Sequence, residues 1–277
     1  MATRFCLTHV LAKQRPDAVA EAALWLAREF DPKIDVYQYL QRLQFYAEVI
    51  SERLASRVPL GEVLFQLNDY LFNDRGFRVD ARAHNSPDNT FLHHVIDRRH
   101  GSALSITLIY LTVGRWLGLP LQAVTFPGRI LVKYSDAEGD VVIDPTEGGM
   151  PLQEQDLSLL LSRTYSLLRR PRYRLARFLS ATNDTMLLVR LLRQLKQGYL
   201  LHGDAQSALW ALDNILLLIP DTPSDFRERG HLFELLECSV AAAEDYSRYL
   251  ELMPDAADAE LLRKRVPQLL QNPVTFH

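Results

Sequence analysis

The sequence predicts an α+β chain, mostly helical, in which a small antiparallel sheet precedes a purely helical repeat domain. Three observations carry this. Apolar residues recur at helical spacing through the first 75 residues. Three short strand-like runs then stand together, with no βαβ alternation around them. The C-terminal third repeats itself at an offset of 34 residues.

The chain has 277 residues, 48% of them apolar, which is enough for a buried core and for two domains. Its formal charge of −3 gives no global attraction to nucleic acid or to an anionic membrane. The two cysteines, Cys6 and Cys238, are far apart and form no zinc-like or redox motif, which suits a reducing compartment. The N-terminal "MATRFCLTHV" has no signal-peptide pattern, and no apolar run reaches the roughly 18 residues of a membrane span. The expected protein is soluble and cytoplasmic. No cofactor or metal is implied.

Each element follows in order. Val36, Tyr39, Leu40, Leu43, Ala47, Ile50 and Leu54 mark a helix that starts after Pro32 and Asp35 and closes before Pro59. Val63, Leu64, Leu67, Tyr70 and Leu71 mark the next. Residues 76–89 are rich in Asn, Asp, Arg and Ser and read as a loop. From Leu104 to Leu117 the chain is apolar on nearly every face, so residues 101–118 form a buried central helix, ended by Gly118 and Pro120. "LQAVTF", "RILVKY" and "VVIDP" are strands of a sheet over 120–145, the last two joined by "SDAEGD". Residues 1–160 are thus the first domain. Residues 150–180 read as a connecting region, and 161–188 as a basic linker carrying Arg163, Arg169, Arg170, Arg172, Arg174 and Arg177.

Residues 189–277 form the repeat domain. At the offset of 34, Tyr199 falls on Phe233, Ala208 on Ala242 and Pro220 on Pro254. An aromatic, a small Ala and a closing Pro in that order are the tetratricopeptide signature. The Ala lets two helices approach, and the Pro starts the turn to the next repeat. An amphipathic helix with Leu261, Leu262, Val266, Leu269 and Leu270 caps the stack.

Candidate chemistry centres on "HGSALS" at the start of the buried helix and on the hairpin 127–146. A helix N-terminus favours a nucleophile, and adjacent strands can supply a base and its orienting acid. Asn85-Ser86, "VIDRRHGSALSITLIY", "GRWLGLP", "FPGRILVKY" and "VIDPTEGG", in that order, resemble the transglutaminase-like (papain-like) superfamily. With the repeats, the chain resembles the bacterial two-part family known as the Sir-type invasion regulators. The resemblance implies a Cys–His–Asp triad. Carried over by position, the nucleophile falls on Ala103, the base on Arg129 and the acid on Asp144. Alanine cannot attack, and an arginine holds its proton and cannot act as a base. The triad is degenerate, and a pseudoenzyme is expected. Ser102, Ser105, Arg129 and Asp144 would line the residual pocket, where Arg129 and Asp144 either bridge or Asp144 merely ends a strand. A carboxylate of a partner could dock on Arg129.

Other chemistries are weaker. Ser102 or Ser105 with His93, His94 or His100 would make a hydrolase or acyltransferase, but no GxSxG elbow is present and a helix cap explains the serine. His84, His93, His94 and His100 crowd together without metal-ligand spacing. The arginine run, with Tyr165 and Tyr173, reads as a solvated face, so nucleic-acid binding is not expected. The expected function is protein interaction, possible through both the repeats and the residual pocket, in a regulatory or scaffolding role.

Overall fold

The computed structural model of the chain describes residues 2–80, 86–136, 139–164 and 175–271. They divide into two compact units, one holding most of the chain up to Leu191 and the other the chain from Leu192. The first is helical with a small antiparallel sheet; the second is helical throughout. Among the described residues no helix is long and apolar enough to cross a membrane.

The first unit opens with helices α1 (Ala2–Ala12), α2 (Ala18–Phe30), α3 (Val36–Arg53) and α4 (Leu60–Asn68). The expected start of α3 is made by Asp35, whose carboxylate accepts the N–H groups of Tyr37 and Gln38 at 3.0 and 3.2 Å. The next helix does not run unbroken through Leu71. It gives way after Asn68 to a π-helical turn, Asp69–Asp74, which keeps Tyr70 and Leu71 buried. Strand β1 (Arg78–Val79) follows, then α5 (Leu92–Arg98) and β2 (His100–Gly101), which pairs parallel with β1. Residues 81–85, with His84 and Asn85, lie outside the described residues.

Helix α6 (Ala103–Trp116) is the expected central helix: every residue from Leu104 to Gly114 is buried. Its polar Thr107 and Thr112 turn their hydroxyls back onto Ala103 O and Leu108 O, each at 2.8 Å, so neither is orphaned. Strands β3 (Gln122–Phe126), β4 (Arg129–Asp136) and β5 (Gly139–Ile143) are the three strands read from the sequence, paired antiparallel with Phe126 opposite Arg129 and Val132 opposite Ile143.

The region read as a connector is more structured than expected. It holds β6 (Pro151–Leu152), α7 (Glu154–Thr164) and β7 (Ala181–Thr182), which complete a sheet of order β6-β5-β4-β3-β7. Leu157 and Leu161 of α7 pack on Val124, Phe126, Leu131 and Val142, while α6 also packs on β4. A strand covered on both faces explains why "RILV" lacks polar alternation. Arg169, Arg170, Arg172 and Arg174 of the basic run lie outside the described residues, as do Tyr165 and Tyr173.

The remaining helices are α8 (Asp184–Leu201), α9 (Ala205–Leu218), α10 (Pro223–Leu235), α11 (Ser239–Leu252) and α12 (Ala259–Gln271). The division between the units falls within α8. Ala208 and Ala242 are fully buried, and Tyr199 is buried with them. Pro220 and Pro254 sit just past the ends of α9 and α11. Phe233 packs on the cluster of Ala242, Tyr246 and Leu262. The cap helix differs from expectation on one side: Leu262 and Leu269 are buried, whereas Leu261 and Leu270 face outward.

Arg229 of α10 is a clamp that the repeat alignment does not predict. It forks onto Asp245 of α11 through Nε and Nη2, both at 2.7 Å, and reaches Asp213 of α9 through Nη1 at 2.8 Å. Asp245 is buried, so removing the guanidinium strands a charge. Arg229→Ala is expected to cost about 3 kcal/mol in urea unfolding, and Arg229→Lys to recover less than half, because an ammonium cannot fork.

Candidate functional site

The entry to α6 is built by close packing. Gly101 ends β2, where a Cβ would lie 2.3 Å from Val95 Cγ2 and 2.9 Å from Asn89 O. Only glycine fits. Ser102 N then donates to Asn89 O at 2.6 Å. The Ser102 hydroxyl accepts Ser105 N at 3.1 Å and caps the helix. The Ser105 hydroxyl donates to Thr90 O at 2.7 Å and lies 2.9 Å from Ser102 Oγ. Both side chains are buried, and among the described residues no histidine joins their hydrogen bonds. Ala103 is the first residue of α6.

The hairpin supplies the other two positions. Arg129 opens β4, and Asp144 follows β5 with only 1% of its surface exposed. Arg129 Nη1 is ion-paired with Asp144 Oδ2. Asp144 Oδ1 accepts Thr146 N at 2.9 Å and the Thr146 hydroxyl at 2.6 Å. Asp144 is therefore both bridge and turn, the two alternatives that the sequence left open. Among the described residues no serine or histidine is bonded to it.

The turn after Asp144 is locked from α4. Gly149 has φ +72°, and its N–H returns to Asp144 O at 3.0 Å. A Cβ on Gly149 would lie 2.2 Å from Asn68 Oδ1. Asn68 Nδ2 donates to Gly149 O, and Asn68 Oδ1 accepts the Tyr110 hydroxyl, both at 2.8 Å. One amide thus ties α4, α6 and the acid's turn together, and α6 packs directly on that turn and on β4. Asn68 was not singled out by sequence reasoning, since an Asn ending a helix carries no local sign of a partner 81 residues away.

The histidines do not gather into a metal site: among the described residues no three His, Cys, Asp or Glu side chains are placed to hold an ion. His100 Nδ1 contacts Arg98 O at 2.8 Å. His93 is buried against Tyr39, Phe91 and His94, and its Nδ1 has no hydrogen-bond partner among the described residues. Burial, helped by neighbouring His94, pushes its pKa down to about 4; Asp97, Asp31 and Asp88 oppose this only in part. Asp97 itself accepts the Tyr39 hydroxyl at 2.7 Å and pairs with Arg42.

The second unit carries a groove of about 880 Å³ along α8, α10 and α12. The exposed leucines Leu200, Leu235 and Leu261, one from each helix, line it. Ion pairs Lys196–Glu228, Arg227–Asp258 and Arg265–Glu234 cross from one helix to the next. The 34-residue alignment located the repeats but not this face, because its recurring positions change residue type, as with Gln197, His231 and Arg265.

Residues 37–193 match the transglutaminase-like superfamily, and residues 195–267 match the tetratricopeptide repeat. The chain is 31% identical to a UPF0162 protein of Xylella fastidiosa (strain Temecula1), over 92% of this chain and 91% of that one. It is 27% identical to the UPF0162 protein YchA of Escherichia coli K12, over 91% of each. It is 25% identical to the protein SirB1 of Salmonella typhimurium, over 87% of this chain and 88% of the relative. No solved structure matches.

Two outcomes follow from this geometry. Arg129→Ala leaves a buried carboxylate without its cation and is expected to cost about 2–3 kcal/mol; adding Asp144→Asn should recover about 1 kcal/mol or more, read as coupling in a double-mutant cycle. For His93, the unfolded chain takes a proton near its ordinary 6.5, the folded site only near 4. Stability is therefore whole above about pH 6.5 and falls as pH drops toward 4, by up to about 3 kcal/mol. His93→Gln should flatten that part of the stability–pH curve in thermal melts.

Proposed function

We propose that this chain, which belongs to the transglutaminase-like superfamily and within it to the family of the UPF0162 and SirB1 proteins, works by holding a protein partner and not by acyl transfer. One observation supports this above the others. The acid of the carried-over triad, Asp144, spends its carboxylate on Arg129 and Thr146, and the nucleophile position holds Ala103. A nucleophile needs a base within hydrogen-bond reach and an acid that orients the base. Here the base position is a guanidinium that neutralises the acid.

The serine alternative is disfavoured for a related reason. The Ser102 hydroxyl caps the helix and that of Ser105 donates to a buried carbonyl, and among the described residues neither is bonded to a base. The match of residues 195–267 to the tetratricopeptide repeat supports a protein partner. The hairpin can contribute as well: the Arg129 side chain is 31% exposed, and its bonds to Asp144 use one nitrogen, so an outer edge is left for a partner's carboxylate. A regulatory role would follow from such binding.

The test is a turnover assay of the full-length protein with aryl esters, peptide anilides and a hydroxylamine acceptor. Rates equal to buffer are expected. Turnover that disappears in Ser102→Ala or Ser105→Ala would instead establish a serine hydrolase or acyltransferase.

A further inference from the structure

The groove of the second unit has a chemistry of its own. Each of its three carboxylates is already matched: Glu228 by Lys196, Asp258 by Arg227 and Glu234 by Arg265. Asp258 also accepts the Tyr249 hydroxyl at 2.8 Å. Its cations are not all matched. Lys264 lines the groove, is exposed, and has no ion-pair partner among the described residues. Lys196 is an ammonium held at 9% exposure, and its partner Glu228 is half-exposed at the groove wall.

This excess of positive charge is local. Over residues 192–271 acids outnumber bases by 13 to 8, yet the groove lining holds four Lys and Arg against three Asp and Glu. A basic lining on an acidic unit favours an anionic visitor. Between the charges stand Leu235 and Leu261, which are 60% and 70% exposed. Large apolar side chains gathered in a concave site mark a place where apolar area is to be covered.

We propose that the α8–α10–α12 groove receives an internal segment of a partner protein in which aspartates or glutamates alternate with large apolar side chains. The proposal rests on the non-catalytic, partner-holding reading above and names the partner's chemistry. The apolar side chains cover Leu200, Leu235 and Leu261. The carboxylates meet Lys264 on one helix and Lys196 on another. Cations on separate helices call for carboxylates at more than one point along the segment, which side chains supply and a single chain terminus does not. Burial of the leucines gives the affinity, and the lysines set the sign of charge accepted.

A random short-peptide library panned on the full-length protein tests this, with the selected consensus then measured by fluorescence anisotropy. A consensus that mixes Asp or Glu with Leu, Ile or Phe is expected. Leu235→Asp and Lys264→Glu should each weaken it by about tenfold or more. Both positions are exposed, so the melting temperature of each variant should stay at the wild-type value. Replacing a single acid of the peptide by Lys, tried at each acid in turn, should at one position recover binding to Lys264→Glu and weaken it for wild type. A basic or uncharged consensus, no enriched peptide, or acidic peptides that bind both variants unchanged would each overturn the proposal. Peptides lost only on Arg129→Lys would overturn the groove while leaving the partner-holding reading intact. That reading falls separately, by enzymatic turnover.

Discussion

The burial of α6 on every side is the constraint on which the first unit depends. A helix whose residues from Leu104 to Gly114 are all hidden must be wrapped, and the wrapping defines the rest. Helices α2, α3 and α4, strand β4 and the turn after Asp144 all lie against it. A core of this kind leaves polar groups few ways to be satisfied. Thr107 and Thr112 turn back onto carbonyls of α6 itself, whereas Ser105 and Tyr110 reach Thr90 O and Asn68 Oδ1 and so tie the helix to the segments around it. The helix start that could activate a nucleophile is drawn into the same packing. Its hydroxyls serve the helix and the loop before it.

In the second unit, charge does much of the joining. Arg229 holds three successive helices through two aspartates, and Arg193–Asp225 and Arg227–Asp258 tie α8 to α10 and α10 to α12. Arg193 and Arg227 are 34 residues apart and their acids, Asp225 and Asp258, 33 apart, so the contact recurs with the repeat to within one residue. The hydrogen bonds to Asp245 hold the Arg229 guanidinium above its usual arginine range. The apolar contacts between small alanines set how close the helices come, and the ion pairs set which helix faces the groove.

Much of this was legible in the residues. Uninterrupted apolarity announced α6, the Pro-closed period announced the repeats, and short apolar strands joined by a polar turn announced β4 and β5. The places of Ala103, Arg129 and Asp144 came from the resemblance, and the pairing of the last two was one of two open alternatives. What escaped reading is long-range or short. Strands β6 and β7 are two residues each, too brief to show a period. Helix α7 was hidden by the arginines that follow it. The Asn68 tie and the Arg229 clamp join residues that no local pattern relates. The outward Leu261 was misread because adjacent leucines on a helix lie about 100° apart, and only packing decides which faces inward.

The Arg129–Asp144 pair also shapes which sequences this fold can reach by single steps. A histidine in place of the arginine leaves Asp144 buried beside a group charged only part of the time, and a cysteine at Ala103 without that histidine has no base. Each intermediate loses stability or gains nothing before the chemistry is assembled. A salt bridge across these two positions is therefore hard to dismantle one substitution at a time.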